Sequence, residues 1–342
     1  MPAVLAGRGP VGAAEDKPER PSIVVEKIHF RHGKNVLVGN LYLPAKPGPH
    51  PAIALVLGSA AEDRNYGGVG PALGNHLARL GFACLAWDKP GVGESTGDFN
   101  AQTLRDRADE SLAALDFLRA RDDVRPDRVG FWGHSQGGMV APLAASNSDK
   151  VAFLIEVSGW QGPVWQQDQT RVEAEMRADG WSERDIATAV EFARARMDLI
   201  CGTKPFEDLD KAQQAVKKSA WFEYVHLCDE TLFYSARRNV GQDTGVWWEK
   251  VHCPVLVIFG DKDTLSGPPE PLVAIISRGL KKSGNNELTV HIFANADHRL
   301  CQTKTGGRKE ARKGALKKAA GPDFVDGYLT TMSDWLEKQS RK

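Results

Sequence analysis

The 342-residue chain has no run of eighteen consecutive apolar residues, and residues 1–21 contain no apolar segment of signal-peptide length. We therefore expect no transmembrane helix, no membrane partner and a cytoplasmic location. A net charge is also absent, because 44 Lys and Arg residues balance 44 Asp and Glu residues. Since no global electric field attracts polyanions, we expect no nucleic-acid partner.

Cysteine is scarce, odd in number and widely spaced, and no C-x-x-C pattern occurs. The five positions are Cys84, Cys201, Cys228, Cys253 and Cys301. This usage predicts a reducing compartment and no structural metal. The glycines of "GVGES" follow a predicted strand but lack the G-x-G-x-x-G spacing of a dinucleotide site, so we expect no cofactor.

Alternating strand-like and helix-like segments predict the fold class. Residues 52–58 and 82–88 are apolar and strand-like, whereas residues 70–81 and 101–121 have helical periodicity. Such alternation requires crossover connections and predicts an α/β fold, with a mostly parallel sheet covered by helices on both faces. Two earlier strand-like runs, joined at "HGKN", predict an antiparallel hairpin at its edge.

The alternation is interrupted once. From Trp160 to about Lys250 the chain is helical in period, until "PVLVIFGDKD" resumes the strand pattern. An insertion between two strands of one sheet is typical of a cap over the strand ends. We therefore predict a flexible arm over 1–21, a core over 22–160 and 251–342, and a helical cap over 161–250.

The pentapeptide "GHSQG" at 133–137 lies between a short apolar strand and a helix-like run. In this context G-x-S-x-G predicts a sharp turn that exposes a serine hydroxyl, here Ser135, with glycines allowing close approach of neighbouring chains. A serine hydroxyl is a weak nucleophile, so it needs a base and an acid that orients the base. In such folds the expected chain order is serine, acid, histidine.

The acid and the base have candidates in that order. Asp263 follows the strand at 255–259 by a few loop residues, and Asp261 is the alternative. His298, on a loop after the strand ending at Phe293, is the candidate base. Two other histidines have structural interpretations: we expect His134 to pack in the elbow and His291 to face a helix.

The tetrahedral intermediate of acyl transfer needs backbone N–H donors. Gln136, directly after the serine, is expected to supply one donor. The second is expected from "GSAAEDRNYGG", the loop after the strand at 52–58, where Ser59 and Ala60 are both candidates.

Tryptophans are concentrated in and beside the predicted cap. Five are candidate substrate-binding residues: Trp160, Trp165, Trp221, Trp247 and Trp248. Aromatic side chains there could bind an apolar part of a substrate, or they could pack the cap helices onto the core. The basic segment after His298, "RLCQTKTGGRKEARKGALKK", could attract an anionic substrate or could be solvated surface.

Three ordered motifs, "LGSAAEDRN" at 57–65, "DKPGVGES" at 88–95 and "GHSQGG" at 133–138, resemble the α/β-hydrolase superfamily, and "GDKD" and "ADH" support the likeness. Within it, the chain is most similar to bacterial serine esterases related to the catalytic domain of prolyl oligopeptidases. Leu57 and Ala60 replace a histidine and a glycine usual in the first motif. The resemblance implies Ser135 as nucleophile, Asp263 as acid and His298 as base, with the donors named above.

The predicted activity is hydrolysis of a small carboxylic ester through an acyl-enzyme, by a monomer or homodimer. The same triad would also serve an amidase or peptidase, a thioesterase or an acyltransferase, because it determines the mechanism but not the leaving group. A ligand-binding protein that keeps the fold without turnover is the alternative from another class.

Overall fold

A computed structural model describes residues 23–315 and 322–340. The predicted N-terminal arm lies outside these residues. Within them, one sheet has the strand order β1-β2-β4-β3-β5-β6-β7-β8. Its strands are β1 Ile23–His32, β2 Asn35–Pro44, β3 His50–Val56, β4 Ala83–Trp87, β5 Val124–His134, β6 Leu154–Val157, β7 Val255–Gly260 and β8 Leu288–Phe293.

Helices connect most of these strands. They are α1 Val69–Leu80, α2 Leu104–Arg119, α3 Gln136–Ala145, α4 Gln167–Ala178, α5 Glu183–Cys201, α6 Phe206–Val216, α7 Phe222–Val225, α8 Glu230–Arg237, α9 Pro269–Lys282, α10 Arg308–Ala315 and α11 Tyr328–Ser340. None of the described helices is both long and apolar enough to cross a bilayer.

The sheet is parallel from β4 to β8 in its spatial order, and β1 and β2 form the predicted hairpin at one edge. The α/β fold class and the antiparallel edge are therefore confirmed. Because the parallel strands all end at the same edge of the sheet, the loops after β3, β4, β5 and β7 lie on one side of the molecule.

Both faces of the sheet are covered. On one face, α2, α3 and α9 bury Leu115, Val140 and Ile276 against the strands. On the other face, α1 and α11 bury Leu73 and Trp335. Each such side chain contributes about 1.5–3 kcal/mol through burial of apolar surface. The two cores hold the strand ends in fixed positions.

Helices α4 to α8 lie between β6 and β7, within the predicted insertion. Two small apolar clusters stabilise them, one around Met176 and Tyr224 and one around Leu209 and Phe233. The segment Thr244–Lys250 that follows packs instead against α9 of the core. We refer to residues 161–250 as the helical insertion.

Three expectations differ from the structure. Helix α9 was not predicted, although its apolar residues recur at helical spacing on the face that packs against the sheet. Part of the predicted basic loop forms α10. The expectation that His291 faces a helix is wrong: β8 is an edge strand on which only Phe293 is fully buried, and the His291 side chain is exposed.

Candidate active site

Ser135 lies at the sharp turn between β5 and α3. Its backbone has φ 57° and ψ −123°, a conformation that costs free energy for a residue with a Cβ. The two flanking glycines make the turn possible. A Cβ on Gly133 would lie 2.2 Å from the carbonyl oxygen of Gly137, and a Cβ on Gly137 would lie 1.9 Å from that of Val56. The strained turn leaves the Ser135 side chain partly exposed.

Asp263 and His298 form an acid–imidazole pair in which the carboxylate is buried. The Nδ1 atom of His298 lies 3.0 Å from Oδ1 and 2.9 Å from Oδ2 of Asp263. The backbone N–H groups of Leu265 and Ser266 also donate to Oδ1, each at 2.9 Å. Because the Asp263 side chain is fully buried and held by three donors, it presents a fixed acceptor to the imidazole.

Asp261, the alternative acid, is exposed and forms an ion pair with Lys262 at 3.2 Å. Its carboxylate makes no hydrogen bond to His298 among the described residues. Asp263 lies two residues further along the same loop, where the chain has turned back beneath the imidazole of His298. The geometry therefore favours Asp263 over Asp261.

His134 connects the elbow to the loop that carries His298. Its Nε2 lies 2.8 Å from the carbonyl oxygen of His298, and its Nδ1 lies 2.6 Å from the Tyr66 hydroxyl. A carbonyl oxygen can only accept, so Nε2–H donates to it and Nδ1 accepts from Tyr66. Burial lowers the pKa of His134 to about 3, with the charge of His298 contributing, so the ring stays neutral.

The same contact brings the ring of the candidate base next to the residue that precedes the candidate nucleophile. The rings of His134 and His298 have centroids 4.9 Å apart, and His134 directly precedes Ser135. No hydrogen bond between Ser135 Oγ and His298 Nε2 is formed within the described part of the chain. Catalytic hydrogen bonds are often long without substrate and shorten when it binds.

Two buried cations bind the loop after β3. The Lys89 ammonium donates to the carbonyl oxygens of Gly58 and Ala60, the latter at 2.5 Å. The Arg107 guanidinium, on α2, donates to the carbonyl oxygen of Gly58 at 3.2 Å and to that of Leu57 at 2.7 Å. We refer to residues 57–61 as the oxyanion loop.

These bonds orient the peptide planes of the oxyanion loop. In a trans peptide the C=O and the next N–H point in opposite directions. With the carbonyl of Gly58 turned toward Lys89 and Arg107, the N–H of Ser59 is turned away from them. No hydrogen bond within 23–315 or 322–340 uses this N–H, and Gln136, as the first residue of α3, has no intrahelical partner for its own.

A cavity of 540 Å³ extends from the oxyanion loop to the helical insertion. Ser59, Ala60 and Gln136 line it on the core side, and residues of α4, α5 and α8 line the opposite side. The three predicted donor residues therefore border the same space. A volume of this size accommodates a small-molecule ligand.

The five candidate tryptophans lie outside the described lining of this cavity. Trp160 and Trp248 are buried in the core, and Trp247 packs against it. Trp221 belongs to the apolar cluster of the insertion, whereas Trp165 is 39% exposed. The positions of Trp160, Trp247 and Trp248 fit the alternative interpretation, in which these side chains pack the insertion onto the core.

Charged side chains line the insertion side of the cavity. Asp168 accepts hydrogen bonds from Arg171, at 2.8 Å, and from Arg196. Arg171 also donates to Glu175 at 2.6 Å. The two arginines lower the pKa of Asp168 against the raising effect of burial. Asp168 is the single carboxylate among the described lining residues, and both of its oxygens are bonded to arginines.

The basic segment after His298 contacts the insertion. Lys309 Nζ donates to the carbonyl oxygen of Asp179 at 2.9 Å, and Arg312 forms an ion pair with Glu223 at 2.8 Å. Arg308 lies 3.6 Å from Glu175. The described part of this segment therefore attaches α10 to the insertion, and Arg308 and Arg312 are partnered by acidic groups.

Tyr66, Lys89 and Arg107 are site residues that the sequence interpretation missed. Lys89 lies within "DKPGVGES", which was used only as a family motif. A lysine directly after a buried strand at the carboxyl edge of the sheet was an available signal. Arg107 gave no such signal, because an arginine on a charged amphipathic helix is usually solvated. Among the described residues, no group of three His, Cys, Asp or Glu side chains could hold a metal ion.

Comparison with known proteins gives one family match. The family model for X-Pro dipeptidyl-peptidase (S15 family) matches residues 33–269, well over half of the chain. The human serine hydrolase BPHL is 26% identical over 231 residues, which cover 66% of this chain and 67% of that protein. The protein YtaP of Bacillus subtilis is 30% identical over 98 residues, which cover 25% of this chain and 33% of that protein.

Among solved structures, an esterase from Pyrococcus furiosus superposes with a TM-score of 0.56 at 15% identity, and the match covers 96% of each chain. At this level of identity the likeness is one of fold. Together with the eight-stranded sheet order, it identifies the α/β-hydrolase fold.

Proposed function

Since the chain belongs to the X-Pro dipeptidyl-peptidase (S15) family and is a hydrolase of the α/β-hydrolase superfamily, we propose that it cleaves carboxylic esters through a serine acyl-enzyme. The observation that carries this proposal is the Asp263–His298 pair beside the strained Ser135 turn. The relation to prolyl oligopeptidase-type esterases stays a prediction from the three ordered motifs.

In the acylation half-reaction, Ser135 Oγ attacks the acyl carbon and its proton passes to Nε2 of His298. The carbonyl π electrons move to oxygen, and the N–H groups of Gln136 and Ser59 bind the resulting oxyanion. Collapse of this intermediate breaks the bond to the alcohol oxygen, which takes the proton from His298. Asp263 accepts the Nδ1–H and stabilises the imidazolium.

In the deacylation half-reaction, a water attacks the acyl-enzyme and gives a proton to His298. The second tetrahedral intermediate then releases the carboxylic acid, and Ser135 recovers its proton from the imidazolium. No cofactor enters this scheme.

The family description raises peptide hydrolysis as the second candidate. Recognition of a free peptide amino terminus needs an uncommitted carboxylate close to the reacting carbonyl. In the described cavity lining, the single carboxylate is Asp168, and two arginines already bind it. This charge pattern favours an ester with a neutral or anionic acyl group over a substrate with an ammonium group. A thioesterase or acyltransferase would use the same triad.

The helical insertion is proposed to act as a cap. It supplies the side of the cavity opposite Gln136 and Ser59, so a bound substrate would be enclosed between insertion and core. Enclosure excludes water from the reacting carbonyl and strengthens hydrogen bonds to the oxyanion.

The proposed function is tested by steady-state kinetics on matched substrates. We expect hydrolysis of p-nitrophenyl esters of increasing acyl length by the wild type, loss of that activity in Ser135→Ala, and little hydrolysis of an X-Pro p-nitroanilide. Preference for the X-Pro anilide would favour the peptidase. No turnover of ester, thioester or anilide by the folded wild type would favour a ligand-binding protein.

A further inference from the structure

Lys89 and Arg107 occupy an unusual position for cations. The Lys89 residue is 2% exposed and the Arg107 residue 8% exposed, although each carries an ionisable group that water would solvate. A buried charge is costly unless it is paired or hydrogen-bonded. Their described bonds are to neutral acceptors, namely carbonyl oxygens of the oxyanion loop and, for Arg107, the side-chain oxygen of Gln136.

The charged groups that act on Lys89 are one cation, Arg107, and two carboxylates, Glu62 and Glu110. Burial, together with the charge of Arg107, lowers the pKa of Lys89 to about 6, against the raising effect of Glu62 and Glu110. Glu110 is itself occupied by hydrogen bonds to the indole of Trp87 and the amide of Gln102. Because burial disfavours the protonated form of Lys89, a negative charge that appears nearby should favour its protonation.

A negative charge does appear in the proposed reaction, on the oxyanion. Arg107 binds the backbone that precedes Ser59 and also the side chain of Gln136, so one guanidinium connects the residues that supply both proposed donors. Lys89 binds the carbonyls on both sides of Ser59, at Gly58 and Ala60. The two side chains thus fix the orientation of the Ser59 N–H and polarise its peptide group, and Arg107 also holds the side chain of Gln136.

We propose that Lys89 and Arg107 are positioning residues of the oxyanion hole, which hold the Ser59 N–H toward the reacting carbonyl and favour the oxyanion by positive charge, carried by Arg107 and by Lys89 once it is protonated. This inference rests on the proposed serine-hydrolase function. It assigns the second donor to Ser59, because the Gly58 carbonyl in the same peptide plane is the one that both cations bind. Both residues also border the cavity, but the role proposed for them acts through the backbone of the oxyanion loop.

Charge development on the oxyanion should favour the protonated form of Lys89. A ligand that reproduces the tetrahedral anion should therefore draw a proton from solvent at a pH above 6, because the free enzyme holds Lys89 largely neutral there. The Ser135 proton passes to His298 when a boronic acid binds, so that transfer involves no exchange with solvent. Net proton uptake then reports on Lys89.

The test is calorimetric titration of wild type and Lys89→Met with butylboronic acid at pH 7.5, in buffers of different ionisation enthalpy. We expect uptake of a substantial fraction of one proton by the wild type, and much less by the variant, with affinity for the boronic acid reduced about 10- to 100-fold. Equal proton uptake by both proteins, or no uptake by the wild type, would overturn the proposal. The wild-type measurement stands even if the variant folds poorly.

Kinetics supply a second readout. The ratio of kcat/KM between wild type and Lys89→Met should fall as pH rises from 5.5 to 8, with KM nearly unchanged, because the benefit of charge is greatest where Lys89 is protonated. A ratio independent of pH would contradict the electrostatic part of the proposal.

The matched control is Arg64→Met. Arg64 binds carboxylates of the same turn, Asp88 at 2.6 Å and Glu94, but its side chain binds no carbonyl of the oxyanion loop. We expect it to lower the unfolding temperature while leaving proton uptake as in the wild type. If the wild type hydrolyses no ester and binds no boronic acid, the proposed function fails. If it does both and Lys89→Met behaves identically, only this inference fails.

Discussion

His134 donates its Nε2–H to the carbonyl oxygen of His298 over 2.8 Å, which ties the residue before the candidate nucleophile to the residue that supplies the candidate base. The Tyr66 hydroxyl completes the link from the loop after β3 at 2.6 Å. One neutral ring therefore connects three loops at the carboxyl edge of the sheet. This link holds the candidate site together before any substrate is bound.

Replacing His134 should change the dependence of stability on pH. Its folded-state pKa of about 3 lies below the unfolded value of 6.5, so the unfolded chain binds more protons between these limits. Stability from this group is present above pH 6.5 and is lost as pH falls, with a slope of up to about 1.4 kcal/mol per pH unit. When His134→Gln is unfolded with denaturant at a series of pH values, its free energy of unfolding should decrease less steeply toward acid pH than that of the wild type.

The same variant should be less stable at pH 7 by about 1–3 kcal/mol, because the Tyr66 and His298 groups lose a buried partner. His291→Gln is the matched control, since that histidine is exposed on β8. An acid limb equally steep in His134→Gln and wild type would contradict the neutral-ring assignment.

Glu156→Gln should remove a pH dependence of the opposite sign. Burial raises the pKa of Glu156 well above 4.5, and the neighbouring charge of Asp263 adds to the effect. The folded protein therefore holds a proton that the unfolded chain releases, so stability is full below pH 4.5 and decreases as pH rises above it. The free energies of unfolding at pH 5 and at pH 8 should therefore differ less in Glu156→Gln than in the wild type.

The amide oxygen of Gln can still accept from the Gly159 N–H, as Oε1 of Glu156 does. Exposed Glu191→Gln, on α5, is the control, and it should leave the slope nearly unchanged. A lower stability of Glu156→Gln at pH 8 than in the wild type would show that Glu156 is ionised in the fold.

Asp263→Asn should lower kcat by about 10³- to 10⁴-fold with a small change in KM, because the amide cannot stabilise the imidazolium and favours the wrong tautomer. Asp261→Asn should stay within about twofold of the wild type, since Asp261 is exposed and pairs with Lys262. Ester hydrolysis by the two variants side by side is the measurement. A larger loss in Asp261→Asn would exchange the two assignments.

Attachment of α10 to the insertion should depend on Arg308 more than on Arg312. Arg308 lies 3.6 Å from Glu175, contacts His226 and covers the Tyr224 ring at 5.3 Å, with its side chain 20% exposed. The Arg312 ion pair is exposed, and such pairs contribute about 0–1 kcal/mol. Thermal unfolding should show a clear loss in Arg308→Met and almost none in Arg312→Met. Equal losses would contradict this ranking.

Local patterns in the sequence predicted the sheet, the elbow and the candidate triad because these features are encoded over short distances. The glycines around Ser135 are required by contacts within the strand–turn–helix unit and with the adjacent strand β3. Strand and helix periods likewise reflect local burial. Chain order then limited the acid and base to two loops, after β7 and after β8.

Features that depend on long-range side-chain contacts were not predictable in this way. Periodicity indicates that Trp221 or Trp248 is buried but not which residues surround it, so packing and ligand-lining positions look alike. From the sequence alone, Arg107 is expected to be a surface residue of α2. In the fold it instead contacts the carbonyl oxygens of residues 57–58. The basic segment after His298 acquires its role only because the insertion presents acidic partners.

The most direct test of the central claim is intact-mass analysis after incubation with a fluorophosphonate, on wild type, Ser135→Ala and His298→Ala. An activated serine predicts one adduct on the wild type, mapped to Ser135, none on Ser135→Ala and a strongly slowed reaction in His298→Ala. No adduct on the folded wild type, or an adduct that persists in Ser135→Ala, would contradict the account.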